Sequence, residues 1–136
     1  MYKLYGTRQS GSAATEAVLA EVGEAFEHVE VNTSRGDQFS EEYTRINPRQ
    51  QVPALELPDG SIITEGIAIL MHIADTHPEV GLAPPCGTVE RGQLNRWLSF
   101  FATNVYEGES RRIRASRYST DPNGAQYVVD AAKEYI

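Results

Sequence analysis

The residues best placed to do chemistry lie at Thr64-Glu65-Gly66. Thr64 stands immediately before a helical pattern of Ile67, Leu70, Met71 and Ala74, which predicts it as an N-cap. Free backbone N–H groups at such a helix start bind anions. Upstream, Pro53 opens an apolar run at a position where a strand tolerates a missing N–H. The other reactive types are less organised. Cys86 is the single cysteine, so no internal disulfide and no CxxC pair exist. It sits in Pro84-Pro85-Cys86-Gly87 and reads as an incidental thiol. His28, His72 and His77 have no metal-ligand spacing, and no metal site is expected. Arg111, Arg112, Arg114 and Arg117 hold a third of the 12 Lys+Arg residues and read as a solvated basic loop. No P-loop, dinucleotide fingerprint, HExxH or zinc-finger spacing occurs.

The elements that position these residues follow from patterning. Tyr2 to Gly6 reads as a first strand, Thr7 to Gly11 as a polar loop, and Ser12 to Val22 as a helix stopped by Gly23. Phe26 to Asn32 alternates and reads as a second strand. Phe39 to Ile46 reads as a short helix closed by Asn47-Pro48. Two apolar runs flank the turn Pro58-Asp59-Gly60 and predict a hairpin. The order is βαβαββα. The first βαβ requires parallel strands and a right-handed crossover, and the short hairpin an antiparallel pair. Helices on a small mixed α/β sheet are therefore expected.

Beyond the helix that ends near Thr76-His77-Pro78, the pattern becomes purely helical. Leu94, Trp97, Leu98, Phe101, Ala102 and Val105 form one apolar face, which Gly108 is expected to end or bend. Ser110 to Ser119 reads as irregular. Asp121-Pro122 then caps another helix, whose apolar positions include Ala125, Val128, Val129 and Ala132. The expected organisation is a first domain over residues 1–79, a linker over 80–87, and a partial all-α domain over 88–136, with the chain read as a fragment.

Composition narrows the function. With 12 Lys+Arg against 19 Asp+Glu, the net charge is -7, which argues against nucleic acid or an anionic membrane surface as partner. No apolar run approaches the ~20 residues of a membrane span. The apolar run at Met1 to Gly6 is too short for a signal peptide. A soluble, cytoplasmic protein is expected.

Taken together, the βαβαββα order, Ile46-Asn47-Pro48, Gln51-Val52-Pro53-Ala54-Leu55 and Thr64-Glu65-Gly66-Ile67-Ala68-Ile69 resemble a bacterial glutathione S-transferase of the beta class. Gly81 to Pro85, Arg91, Trp97 to Phe100 and Ala102-Thr103 extend the resemblance. It implies a thioredoxin-like N-terminal domain, a helical C-terminal domain and a homodimer. It implies glutathione as co-substrate, conjugated through its thiolate to a small electrophile, with no prosthetic group. A non-catalytic glutathione-binding or regulatory module, and a glutathione-dependent disulfide reductase, are the alternatives.

The resemblance also implies roles. Val52-Pro53 matches a cis peptide that turns the Val52 N–H and C=O toward the ligand's cysteinyl backbone. Glu65 and Gly66 match the helix start that receives the γ-glutamyl group; Gly66 stands where many members have Ser. Arg35 matches a position near the glycyl carboxylate, and Gln51 a polar neighbour of the tripeptide. The beta-class loop cysteine corresponds to Gly11, so a hydroxyl must activate the thiol. Ser12 and Ser10 are favoured over Tyr5. A hydroxyl suffices: lowering a thiol of pKa ~8.5 by about two units takes ~2.7 kcal/mol, and one hydrogen bond to a charged group supplies ~1.5–3 kcal/mol. Tyr106 stands at the electrophile site and Asn104 at a position that reaches the partner's ligand.

Overall fold

The structure, a computed structural model, describes residues 1–135. Alternation in β1 (Tyr2–Gly6) buries Tyr2, Leu4 and Gly6 on one face and leaves Lys3 and Tyr5 on the other. α1 (Ser12–Glu21) follows, and β2 (Phe26–Glu30) returns parallel to β1. A 3-10 turn (Asp37–Phe39) leads to α2 (Glu41–Ile46), whose Tyr43 N–H is accepted by the Ser40 side chain at 3.1 Å. β3 (Ala54–Glu56) and β4 (Ile62–Thr64) form the hairpin, and α3 (Gly66–Thr76) leaves directly from β4.

The sheet order is β2-β1-β3-β4, with β1–β3 and β3–β4 antiparallel. This is the mixed, thioredoxin-like α/β arrangement expected from the pattern. Leu4, Leu19, Leu55, Ile69 and Ile73 are fully buried between the sheet and the α1–α3 layer. Such burial contributes roughly 1.5–3 kcal/mol per side chain. The hairpin turn closes through Gly60 N–H to Leu57 O at 2.9 Å, and Gly60 has φ +87°, a backbone that favours glycine.

The start of α3 departs from expectation. Thr64 is the last residue of β4, so it does not cap α3. Glu65 occupies the N-cap position with φ +66°, and no side chain caps the helix. The strand runs straight into the helix, and the reversal of direction is taken up in the backbone of one residue.

The chain divides into two compact units, Met1–Ala83 and a second from Pro84. The second is helical. α4 (Val89–Phe100) is capped by Thr88 and continues through a π-helical turn (Phe101–Tyr106) into α5 (Glu107–Ile113). α6 (Ala125–Tyr135) follows after a short 3-10 turn (Ala115–Arg117). Arg91 is buried and donates to the Pro84 carbonyl at 3.0 Å, which ties the start of this unit to α4. Gly108 neither ends nor breaks the helix; it is buried inside α5. The basic stretch is correspondingly helical as far as Ile113, with Arg111 on Glu107 at 3.4 Å and Arg112 on Glu109. These i,i+3 and i,i+4 pairs add modestly to the helix.

Candidate functional site

Strand register alone gathers most of the predicted residues. Tyr5 pairs with Ala54, and Ala54 pairs with Thr64. The loop after β1, the residues before β3 and the start of α3 therefore share one end of the sheet. Ser10, Ser12, Gln51, Val52, Pro53, Glu65 and Gly66 all lie on these three segments. Gly6 pairs with Glu30, so the loop after β2, which carries Arg35, leaves from the same end.

The only non-glycine residues with positive φ among the described residues are Gln9 (59°), Gln50 (56°) and Glu65 (66°), one on each of the three segments. Backbone strain of this kind concentrates at functional sites. The Val52–Pro53 peptide is cis, as the resemblance implied. Neither the N–H nor the C=O of Val52 has a backbone partner among the described residues. A free peptide edge beside a sheet pairs readily with an extended peptide.

At α3, the first intrahelical bond runs from Ile69 N–H to Glu65 O at 3.1 Å. With no side-chain cap, the N–H groups of Gly66, Ile67 and Ala68 remain for an anion. A Cβ on Gly66 would meet nothing within 4 Å, so the missing side chain leaves open space. The Glu65 carboxylate lies 3.7 Å from Arg49 Nε, both side chains being well exposed.

The loop after β1 is tightly bonded. Ser10 Oγ donates to the Thr7 carbonyl at 2.7 Å, and Ser12 Oγ to the same oxygen at 3.0 Å. The two hydroxyl oxygens are 3.0 Å apart, and Ser12 N–H donates to Ser10 Oγ at 3.2 Å. Each serine has one proton, and both protons point inward. Ser12 is 0% exposed, so it presents no surface to a ligand. A Cβ on Gly6 would stand 2.4 Å from the Ser12 Cβ; glycine at this position is what lets α1 start against β1. Ser10 is only half-buried, so of the two serines it alone keeps some exposure.

Tyr5 is placed elsewhere. It is on the β1 face opposite Leu4, its ring centroid 6.2 Å from that of Tyr43. Its hydroxyl donates to Glu56 Oε2 at 2.8 Å, while Lys3 Nζ holds Glu56 Oε1 at 2.9 Å. Burial first, and then Glu56, push the Tyr5 phenol up to about 12. This arrangement speaks against the expectation that Tyr5 competes for a ligand thiol, because its proton is engaged by a carboxylate on the face of β1 opposite Leu4. A cavity of about 270 Å³ on that face is lined by Tyr5, Tyr43, Glu30, Asp37 and Glu42. Three carboxylates make it unsuited to an anionic ligand.

Arg35 is 71% exposed and lies 3.5 Å from Asp37, in a turn where Asn32 Oδ1 accepts the Ser34 and Arg35 N–H groups. In the helical unit, Tyr106 ends the π-helical turn and is 56% exposed. Asn104 donates to the Tyr135 hydroxyl at 3.1 Å, and its own carbonyl accepts from Thr103 at 2.8 Å.

Two residues missed in the sequence shape the site. Tyr43 Oη and Asn47 Nδ2 both donate to the Gln51 carbonyl, at 2.6 and 2.7 Å. The signal was present in Asn47-Pro48, a helix-ending pair just upstream of the cis peptide. No groups of three or more His, Cys, Asp or Glu suited to a metal occur among the described residues, nor is any helix there long and apolar enough to cross a membrane.

Comparison with known proteins agrees with this geometry. Residues 1–75 match the family described as glutathione S-transferase, N-terminal domain. The glutathione S-transferase GstA of Escherichia coli O157:H7 is 35% identical over 107 residues, which are 78% of this chain and 53% of the relative. The chain thus spans about half the length of the curated relatives it matches. A Sulfitobacter glutathione transferase homolog solved with bound glutathione superposes with a TM-score of 0.90 at 27% identity, covering 99% of this chain and 64% of that one. The beta-class glutathione S-transferase of Sphingomonas chungbukensis gives a TM-score of 0.76 at 31% identity, covering 96% and 63%. A cis proline and an uncapped helix start at one end of a mixed sheet, together with this family match over residues 1–75, place the chain in the glutathione S-transferase family.

Proposed function

We propose that this chain binds glutathione at the shared sheet end and conjugates its thiolate to small electrophiles, as a glutathione S-transferase. The observation that carries the reading is the convergence of the Val52 peptide edge, the uncapped α3 start and the Ser10 loop on one end of one sheet. In this reading residues 1–79 are the glutathione-holding domain. Val52 pairs with the cysteinyl backbone as an added strand would. The N–H groups from Gly66 onward receive the γ-glutamyl carboxylate, and Glu65 balances its ammonium. Arg35 takes the glycyl carboxylate as a charge-assisted pair. Gln51 flanks the tripeptide. Ser10 donates to the thiolate once it turns its proton away from Thr7. Tyr106 faces the electrophile and Asn104 the partner's ligand in a homodimer, and the protein works in the cytoplasm.

One observation favours a second reading, glutathione binding without turnover: both serine protons are held by the Thr7 carbonyl, and Ser12 is fully buried. Retention on immobilised glutathione and initial rates with a halogenated nitroaromatic separate the two. Retention with turnover supports conjugation. Retention without turnover supports the second reading, and absence of retention sinks both.

A further inference from the structure

The Gln51 carbonyl accepts two hydrogen bonds from side chains. Tyr43 is 4% and Asn47 3% exposed, and their donors occupy both lone pairs of one oxygen. The orientation of the Asn47 amide is fixed independently, because its Oδ1 accepts the Arg49 N–H at 3.0 Å and leaves Nδ2 to face Gln51. Burial pushes the Tyr43 phenol up to about 12, so it remains a donor at neutral pH. The Gln50 N–H closes the turn on the Asn47 carbonyl at 2.8 Å, with Gln50 at φ 56°.

That carbonyl shares a peptide unit with the Val52 N–H. Val52–Pro53 is the only cis bond among the described residues, so the Gln51–Val52 unit is trans and its N–H points opposite to its oxygen. Two donors on the oxygen fix the plane of the amide. They also draw electron density from the nitrogen and make its N–H a stronger donor. That N–H has no backbone acceptor among the described residues.

We infer that Tyr43 and Asn47 are positioning residues that aim and strengthen the Val52 N–H for a carbonyl of an extended peptide ligand, so that the site selects a peptide thiol over a simple thiol. The inference rests on the glutathione reading. Neither side chain touches the ligand; both act through the Gln51–Val52 amide.

The test compares glutathione with a thioamide analogue carrying C=S at the cysteinyl carbonyl, a weaker acceptor, by calorimetric titration. The wild type is expected to favour glutathione by about tenfold. Tyr43→Phe, which keeps the ring, is expected to weaken glutathione by about fivefold to tenfold and to reduce the preference to about twofold. Tyr43→Phe binding both ligands more weakly with the preference intact would reduce Tyr43 to a structural residue and overturn the inference. Unchanged affinity would overturn it as well. The Val52 amide resonance of the wild type gives a reading that needs no variant. It should move downfield with glutathione and less with the analogue, and equal movement with both contradicts the inference. Loss of glutathione binding in the wild type would overturn the glutathione reading itself, whereas binding with an unaltered preference in the variant overturns only the role of Tyr43.

Discussion

The hydroxyl of Ser12 and the hydroxyl of Ser10 lie 3.0 Å apart, and both donate to the carbonyl of Thr7. The pair divides the labour of the loop. Ser12 is sealed against Gly6, while Ser10 is half-buried.

Ser12→Ala is therefore expected to lower stability, by about 1–2 kcal/mol for a buried donor lost from the Thr7 carbonyl. Urea unfolding measures this. Ser10→Ala is expected to lower the urea midpoint less than Ser12→Ala does and to raise the thiol pKa of bound glutathione by about one to two units. The opposite assignment of the two effects would contradict the division.

Gly6→Ala tests the contact from the other side. The added Cβ would stand 2.4 Å from the Ser12 Cβ, which is part of the α1 start and not a free side-chain end. Overpacking of this kind costs about 1–3 kcal/mol. A wild-type urea midpoint in this variant would contradict the close approach.

Tyr5→Phe is expected to leave glutathione affinity and the bound thiol pKa unchanged within about twofold, the range of a weak contact. The Tyr5 proton is already on Glu56, on the opposite face of β1 from Ser12. A raised thiol pKa in Tyr5→Phe would restore Tyr5 as the activating hydroxyl.

The pH dependence of stability has an identifiable contributor in His77. Its Nδ1 lies 2.9 Å from the Ile73 carbonyl and its Nε2 3.2 Å from Glu24 Oε1. The Ile73 carbonyl first, and then Glu24, raise its pKa above 6.5. A raised folded-state pKa means that the native state holds the proton more tightly. The stabilisation is fully present below the unfolded pKa and is lost as pH rises through the folded one. His77→Gln should lower the urea midpoint relative to wild type at pH 5.5, and the gap should close by pH 8.5. A gap that widens with pH would reverse the sign.

Much of this was legible before any coordinates, and for identifiable reasons. The turn residues Asp59 and Gly60 mark the hairpin, and the apolar spacing of Ile67, Leu70, Met71 and Ala74 marks α3 as a helix, although the positions it buries are Ile69, Ile73 and Ala74. Local rules sufficed because each of these segments buries one face against a neighbour that the same rules predict. The finer site was not legible where tertiary contacts decided. Thr64 carries the chemistry of a cap, yet pairing with Ala54 keeps it in β4 and shifts the burden to Glu65. Ser12 has the composition of an active-site hydroxyl, and only packing on Gly6 shows that it is buried. Tyr43 and Asn47 reach Gln51 from eight and four residues away, through a left-handed turn at Gln50 that no glycine announces. Gly108 reads as a helix break, yet it is buried inside α5, which runs on to Ile113.

The central claim is that this sheet end binds glutathione and stabilises its thiolate. Titrating the ultraviolet thiolate absorbance of glutathione bound to the wild-type chain tests it most directly. The account predicts a bound thiol pKa about one to two units below the free value of ~8.5. A bound thiol that titrates at the free value, or no saturable binding at all, would contradict it.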